Sequence, residues 1–139
     1  MTVKIEHHLC PCSSGQPYQI CCEPLHLGDQ NALSAEALMR SRYAAFATKN
    51  VDYLVATMDP ASRARFSPEE ARRWMDTADF VGLEILEATE DSKTALVEFK
   101  AWFIDKALPQ TRQVHHERSL FRKKDGAWLY IEAKTPHHS

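Results

Sequence analysis

The four cysteines of the 139-residue chain all stand between positions 10 and 22, as Cys10-Pro11-Cys12 and then Cys21-Cys22. Four thiolates in so short a loop can close tetrahedrally around one ion, at Zn–S distances of about 2.3 Å. The set is all soft sulfur with no carboxylate, which favours zinc over harder divalent ions. A closed four-thiolate site leaves no open position for water, so such a zinc is structural. The alternative for an even number of cysteines is two disulfides, which belong to oxidising compartments. Met1 to His8 contain no apolar stretch of signal-peptide type, so one structural zinc, in a cytoplasmic protein, is the expectation. His7 and His8 precede the first cysteine, but four sulfurs already satisfy the ion. Gly15 permits the positive φ with which the loop reverses over the metal, and Tyr18, its one large aromatic, can cover a side of the site.

A second group of chemistry-bearing residues lies far along the chain, over positions 115–123. If that segment is a strand, neighbours alternate between faces. His116, Arg118 and Arg122 then share one side, and His115, Glu117, Ser119 and Phe121 the other. Basic groups concentrated on one side are costly to bury, so Glu117 is expected to face inward and Arg118 outward. An inward glutamate beside a histidine is a general-base arrangement, with the histidine as acid; the competing reading is an ordinary strand with a charged solvated face. Arg40 and Arg42, two apart on a helix, point in different directions. One is expected in solvent and the other in a buried ion pair with Glu117, or on an anion. Arg42, Tyr43, Trp102, Glu117 and Ser119 are the expected pocket residues. With every cysteine assigned to metal, no thiol nucleophile remains. No Gly-rich phosphate loop and no Gly-x-Ser-x-Gly elbow is present.

The elements that must position these groups are helices first, then strands. Ser34 can cap a helix with Glu36 in its first turn, carrying Leu38, Met39, Tyr43 and Phe46 at helical spacing up to Asn50. Asn50 can cap a second, shorter helix through Met58, stopped by Asp59-Pro60. Ser67-Pro68-Glu69-Glu70 is a third start, with proline at the first helical position. Beyond Asp79 the period becomes two. Strands are expected over 80–88, 95–103, 115–123 and 127–134, the last two joined by a hairpin at Lys124-Asp125-Gly126. Three helices followed by a four-stranded meander make an α+β fold, a curved antiparallel sheet packed on N-terminal helices. The expected division is a knuckle and linker over 1–31 and the main domain over 32–139. Charged residues are 26% and the formal net charge is −2, without the basic excess of a nucleic-acid binder. No apolar run reaches the length of a membrane span.

Cys10-Pro11-Cys12-Ser13-Ser14-Gly15 through Cys21-Cys22 resembles the SEC-C zinc motif. That motif usually has glycine where Ser13 stands, and a basic stretch where Gln16-Pro17-Tyr18-Gln19-Ile20 carries no charge. Ala37-Leu38-Met39-Arg40-Ser41-Arg42-Tyr43-Ala44-Ala45-Phe46 with Val51-Asp52-Tyr53-Leu54 is similar to the YchJ family, as are His116-Glu117-Arg118-Ser119-Leu120-Phe121 and Gly126 to Ile131. The resemblance spans roughly residues 8 to 136. It implies a SEC-C knuckle ahead of a cone-shaped domain similar to nuclear transport factor two, and it implies no particular activity. Some members carry a second knuckle at the C-terminus; here Lys134-Thr135-Pro136-His137-His138-Ser139 has no such set and reads as a solvated tail. The leading functional expectation is a bacterial adaptor whose knuckle meets a protein partner. The alternative is a small-molecule-binding or isomerase- or hydrolase-like protein using the cone's pocket. An open pocket with an ionisable group at its base favours the second. One plugged by Trp102, Phe99 and Tyr43 favours the first.

Overall fold

The computed structural model describes residues 8–134; His7, His137 and His138 lie outside them. After a 3₁₀ turn at Tyr18–Ile20 come α1 (Glu23–His26), α2 (Ala35–Ala47), α3 (Val51–Ala56), α4 (Pro60–Arg63) and α5 (Pro68–Thr77). Four strands follow, β1 (Ala78–Glu90), β2 (Thr94–Asp105), β3 (Arg112–Lys124) and β4 (Ala127–Lys134). They form one antiparallel sheet in the order β1-β2-β3-β4. The fold is α+β, and among the described residues no helix is long and apolar enough to cross a membrane.

The caps behave as their residue types require. Ser34 accepts from Ala37 N, Asn50 from Tyr53 N and Ser67 from Glu70 N. Asp59-Pro60 does end α3, but it also begins α4. Asp59 accepts from Ala61 N and Pro60 sits where a missing N–H costs nothing. The stretch read as a linker is likewise partly helical, in α1. At the β3–β4 hairpin, Asp125 (φ 51°) and Gly126 (φ 81°) are both left-handed, the conformation of a type I′ turn.

Alternation along β2 puts Ala95, Val97, Phe99 and Ala101 in the core with Leu38, Leu54, Met75 and Phe121. Irregularities between Phe80 and Gly82 and between Ile85 and Glu87 on β1, and at Leu120/Phe121 on β3, break the register. Such bulges bend a sheet and increase its twist, which lets this one wrap α2. On the other side the junction of α3 and α4 is tied to β4, Tyr130 N donating to Thr57 O and Asp59 N to Tyr130 O, both at 2.8 Å.

Candidate metal centre and cone cavity

Cys10, Cys12, Cys21 and Cys22 bring their Sγ atoms within 4.8 Å of one another. All four are free thiols, and three are buried. Cys12 lies 3.5 Å from Cys21, and Cys21 lies 3.9 Å from Cys22. A tetrahedron with Zn–S bonds of about 2.3 Å has edges of about 3.8 Å, so the cluster fits a four-coordinate ion. The thiol hydrogen bonds from Cys10 and Cys22 hold Cys12 low as a thiolate, while the bonds to Cys10 and Cys12 push Cys22 up. Cys10 is raised to about 12 by its bond with Cys12. Ionising all four sulfurs at this spacing requires a cation between them. His8 is exposed and stands outside the cluster.

The loop reaches this geometry through two left-handed residues, Ser13 (φ 67°) and Gly15 (φ 85°). Serine at the first of these has a use that glycine would not. Its Oγ accepts from Leu83 N on the edge strand β1 at 3.0 Å. Ser13→Ala should therefore be less stable than the wild type by about 1 kcal/mol, since alanine keeps the left-handed strain and loses the bond. Equal unfolding midpoints for Ser13→Ala and the wild type would contradict this role.

The knuckle is fastened to α2 at further points. Arg40 donates from Nη1 to Cys12 O at 2.8 Å, while its Nε pairs with Glu36 at 3.1 Å; it is thus neither free in solvent nor near Glu117. Ala44 packs against Cys10, Cys12 and Cys22. His26 donates from Nε2 to Ser41 O at 2.8 Å, which leaves Nδ1 to accept from the Tyr18 hydroxyl at 2.6 Å. Burial lowers the His26 pKa and keeps the ring neutral, as this tautomer requires. Tyr18 thus covers the metal loop and latches it. His26 was not singled out by sequence; its position four residues after Cys22, in the last turn of α1, was the available signal.

Between α2, α5 and the inner face of the sheet is a cavity of about 180 Å³. Its apolar wall holds Phe46, Phe66, Trp74, Phe80 and Phe99, and its polar groups are Arg42, His115, Glu117 and Tyr130. Glu117 faces inward, as alternation along β3 implies. Its Oε1 is bonded to His115 Nε2 at 2.9 Å, and its Oε2 accepts from Ser119 Oγ at 2.5 Å and Tyr130 OH at 3.4 Å. Burial pushes this carboxyl up, but the His115 and Ser119 hydrogen bonds and the fields of His115 and Arg42 outweigh it, leaving Glu117 below the ordinary glutamate value. A carboxylate held low is a poor proton acceptor. Its geometry is that of a group orienting His115.

The other expected pocket residues divide. Arg42 and Tyr43 line the cavity. The Tyr43 hydroxyl is spent, accepting from Gly82 N at 2.8 Å and donating to Trp102 O at 3.2 Å. Ser119 is fully buried behind Glu117 and reaches the cavity only through it. Trp102 is not a pocket residue. It has the parity of Glu98 and Lys100, opposite to Phe99 and Ala101, so its ring lies on the outer face, 4.3 Å from the Arg112 guanidinium. Arg42 makes no direct ion pair with Glu117 among the described residues; its guanidinium stacks 4.5 Å from the Tyr130 ring centre instead. Phe99 and Tyr43 are walls, and the cavity is open.

Because the folded-state pKa of Glu117 is depressed, its ionisation adds stability that is fully present above the unfolded value of about 4.3 and lost as pH falls through the lower folded value. Glu117→Gln should accordingly flatten the acid limb of a plot of melting temperature against pH. An unchanged acid limb would show that the carboxylate is not held as described.

Two parts of the chain match known families. Residues 9–24 match the model of the SEC-C motif, and residues 34–133 match that of the YchJ middle NTF2-like domain. A UPF0225 protein of Haemophilus influenzae is 40% identical over 124 residues, covering 88% of this chain and 76% of its own. The solution structure of a SEC-C motif containing protein from Rhodopseudomonas palustris is 44% identical, with a TM-score of 0.84, covering 91% of this chain and 98% of that one. A SEC-C motif containing protein from Psychrobacter arcticus, known from a crystal structure, is 33% identical with a TM-score of 0.76, over 91% and 83% of the two chains. With a four-cysteine knuckle docked on an α+β cone and both parts matched, this chain belongs to the YchJ (UPF0225) family.

Proposed function

We propose that this protein is a small-molecule-binding protein whose binding domain is braced by one structural zinc ion. The observation that carries the reading is the open cavity, with a mainly aromatic wall and four convergent polar groups at one side. Concave, mostly apolar sites with a few placed polar groups are the usual form of a ligand site. The zinc is held by Cys10, Cys12, Cys21 and Cys22. Its four-sulfur shell leaves no place for water and so supplies folding energy rather than chemistry. Reduced thiols and a metal site of this kind suit a cytoplasmic setting. Catalysis is not part of this reading, because Glu117 is spent on His115, Ser119 and Tyr130.

The test is a thermal-shift screen of small carboxylates, amides and amines on the zinc-loaded protein, beside Ala101→Leu, which fills the cavity from β2. Ligands should stabilise the wild type and not the variant. A screen in which none stabilises the wild type, or all stabilise both alike, removes the reading.

A second reading, an adaptor that meets a protein partner through the knuckle, is favoured by a different observation. Leu9 and Ile20 on the knuckle, and Leu27 and Leu33 just beyond it, are exposed by two-thirds or more. Large apolar side chains left in solvent are what a partner would cover. The two readings are compatible, since the knuckle's sulfur side packs on α2 while these residues are exposed.

A further inference from the structure

The donors and acceptors around the cavity are unequally used, and this bears on what it binds. Arg42 carries five N–H donors on one planar fork. The two bonds it makes, to Leu54 O at 2.9 Å and Thr57 Oγ1 at 2.6 Å, both start from Nη1. Nε and Nη2 donate to no acceptor among the described residues. The whole residue is only 6% exposed, and it lines the cavity. Glu117 is in the opposite condition, its two oxygens already taken by His115, Ser119 and Tyr130. The cavity therefore offers unspent donors at a fixed positive charge, and its one carboxylate is already answered.

Charge points the same way. The groups bonded directly to Arg42 are a carbonyl and a hydroxyl, both neutral, and its nearest anion acts only through space. Burial lowers the arginine to about 10, so it stays charged at neutral pH at a desolvation cost that an anion would offset. A cationic ligand would meet the Arg42 charge, and a Glu117 carboxylate that three donors already share.

We propose that the cone cavity binds a small carboxylate with a compact apolar body, its oxygens on Arg42 Nε and Nη2 and its body against Trp74, Phe46, Phe80 and Phe99. The cavity volume of about 180 Å³ suits a single ring or a branched alkyl group rather than a polycycle. This rests on the reading of the cavity as a ligand site and adds the class of ligand. Planar, bidentate capture of a carboxylate is the geometry for which a guanidinium is suited and an ammonium is not.

The test uses the intact zinc-loaded wild type with sodium benzoate as probe, benzamide as its neutral isostere and benzylamine as its cationic counterpart. Affinity is read by calorimetry, and the Arg42 Nε–H by nitrogen–proton NMR. Benzoate should bind at least tenfold more tightly than benzamide and shift the Arg42 Nε–H. Ala101→Leu should abolish the binding, and Arg118→Gln, on the outer face, should leave it unchanged. Equal or tighter binding of benzamide or benzylamine overturns the carboxylate assignment while leaving the cavity a ligand site. Benzoate binding that leaves the Arg42 signal unmoved or survives Ala101→Leu also overturns it. Failure of all three probes to bind counts against both this assignment and the ligand site itself.

Discussion

Cys12→Ser should yield protein with no bound metal, in which backbone amides from residue 8 to about 31 exchange freely while β2 and β3 remain protected. Cys12 is fully buried, and its carbonyl is the anchor for Arg40. Serine offers no thiolate, so the four-sulfur shell cannot close. Sites of this size hold apparent binding energies of about 10–16 kcal/mol that are also their folding energy, and they unfold without metal. The main domain keeps a separate core around Leu38, Leu54, Val97 and Phe121, so its loss should be confined to the docking contacts of Ser13, Tyr18 and His26. Strong chelation of the wild type should reproduce the variant. Global loss of protection would show instead that knuckle and body fold as one unit. Retention of a full metal equivalent by Cys12→Ser would remove it from the ligand set.

Arg42→Met should destabilise the protein by about 3 kcal/mol, the scale on which buried charged groups lose their partners. Methionine fills much of the space over Tyr130 but leaves the Leu54 carbonyl and Thr57 hydroxyl without their shared donor. It also takes away a positive field that helps keep Glu117 ionised. Arg42→Lys should recover only part of this, because an ammonium cannot stack flat on the tyrosine while holding both acceptors. Arg118→Gln, on the outer face, should fall within about 0.5 kcal/mol of wild type. Urea denaturation of the three variants gives the comparison. Arg42→Met at wild-type stability, or Arg118→Gln as the most damaging of the three, would contradict the assignment of inner and outer faces.

Much of this arrangement was legible in the sequence because it is set by local chemistry. Ser34, Asn50 and Ser67 are capping types at helix starts, and each accepts the expected backbone N–H. The alternation Ala95, Val97, Phe99, Ala101 fixes which side of β2 is inward, and the same parity argument on β3 places Glu117 inside. The placement of Trp102 in the pocket went against that parity, preferring its size and aromaticity to its position. Other features depend on contacts distant in the chain. The bond from Leu83 N to Ser13 spans 70 positions, and no local pattern indicates it. The bulges of β1, which give the sheet its curvature, likewise follow from packing on α2. The partners of Glu117 were close at hand, at His115 and Ser119 on the same strand. Arg42 was expected to pair with Glu117 because opposite charges were counted, while the carbonyl of Leu54 and the ring of Tyr130 carry no charge to count.

Crystals of the zinc-loaded wild type soaked with a small-fragment library test the cone cavity as a ligand site most directly. Fragments should appear in the cavity between Trp74 and Arg42, with their polar atoms toward the guanidinium and with the knuckle undisturbed. A cavity that stays free of fragments at saturating concentration, while fragments settle on the exposed leucines at Leu9, Leu27 and Leu33, would contradict it.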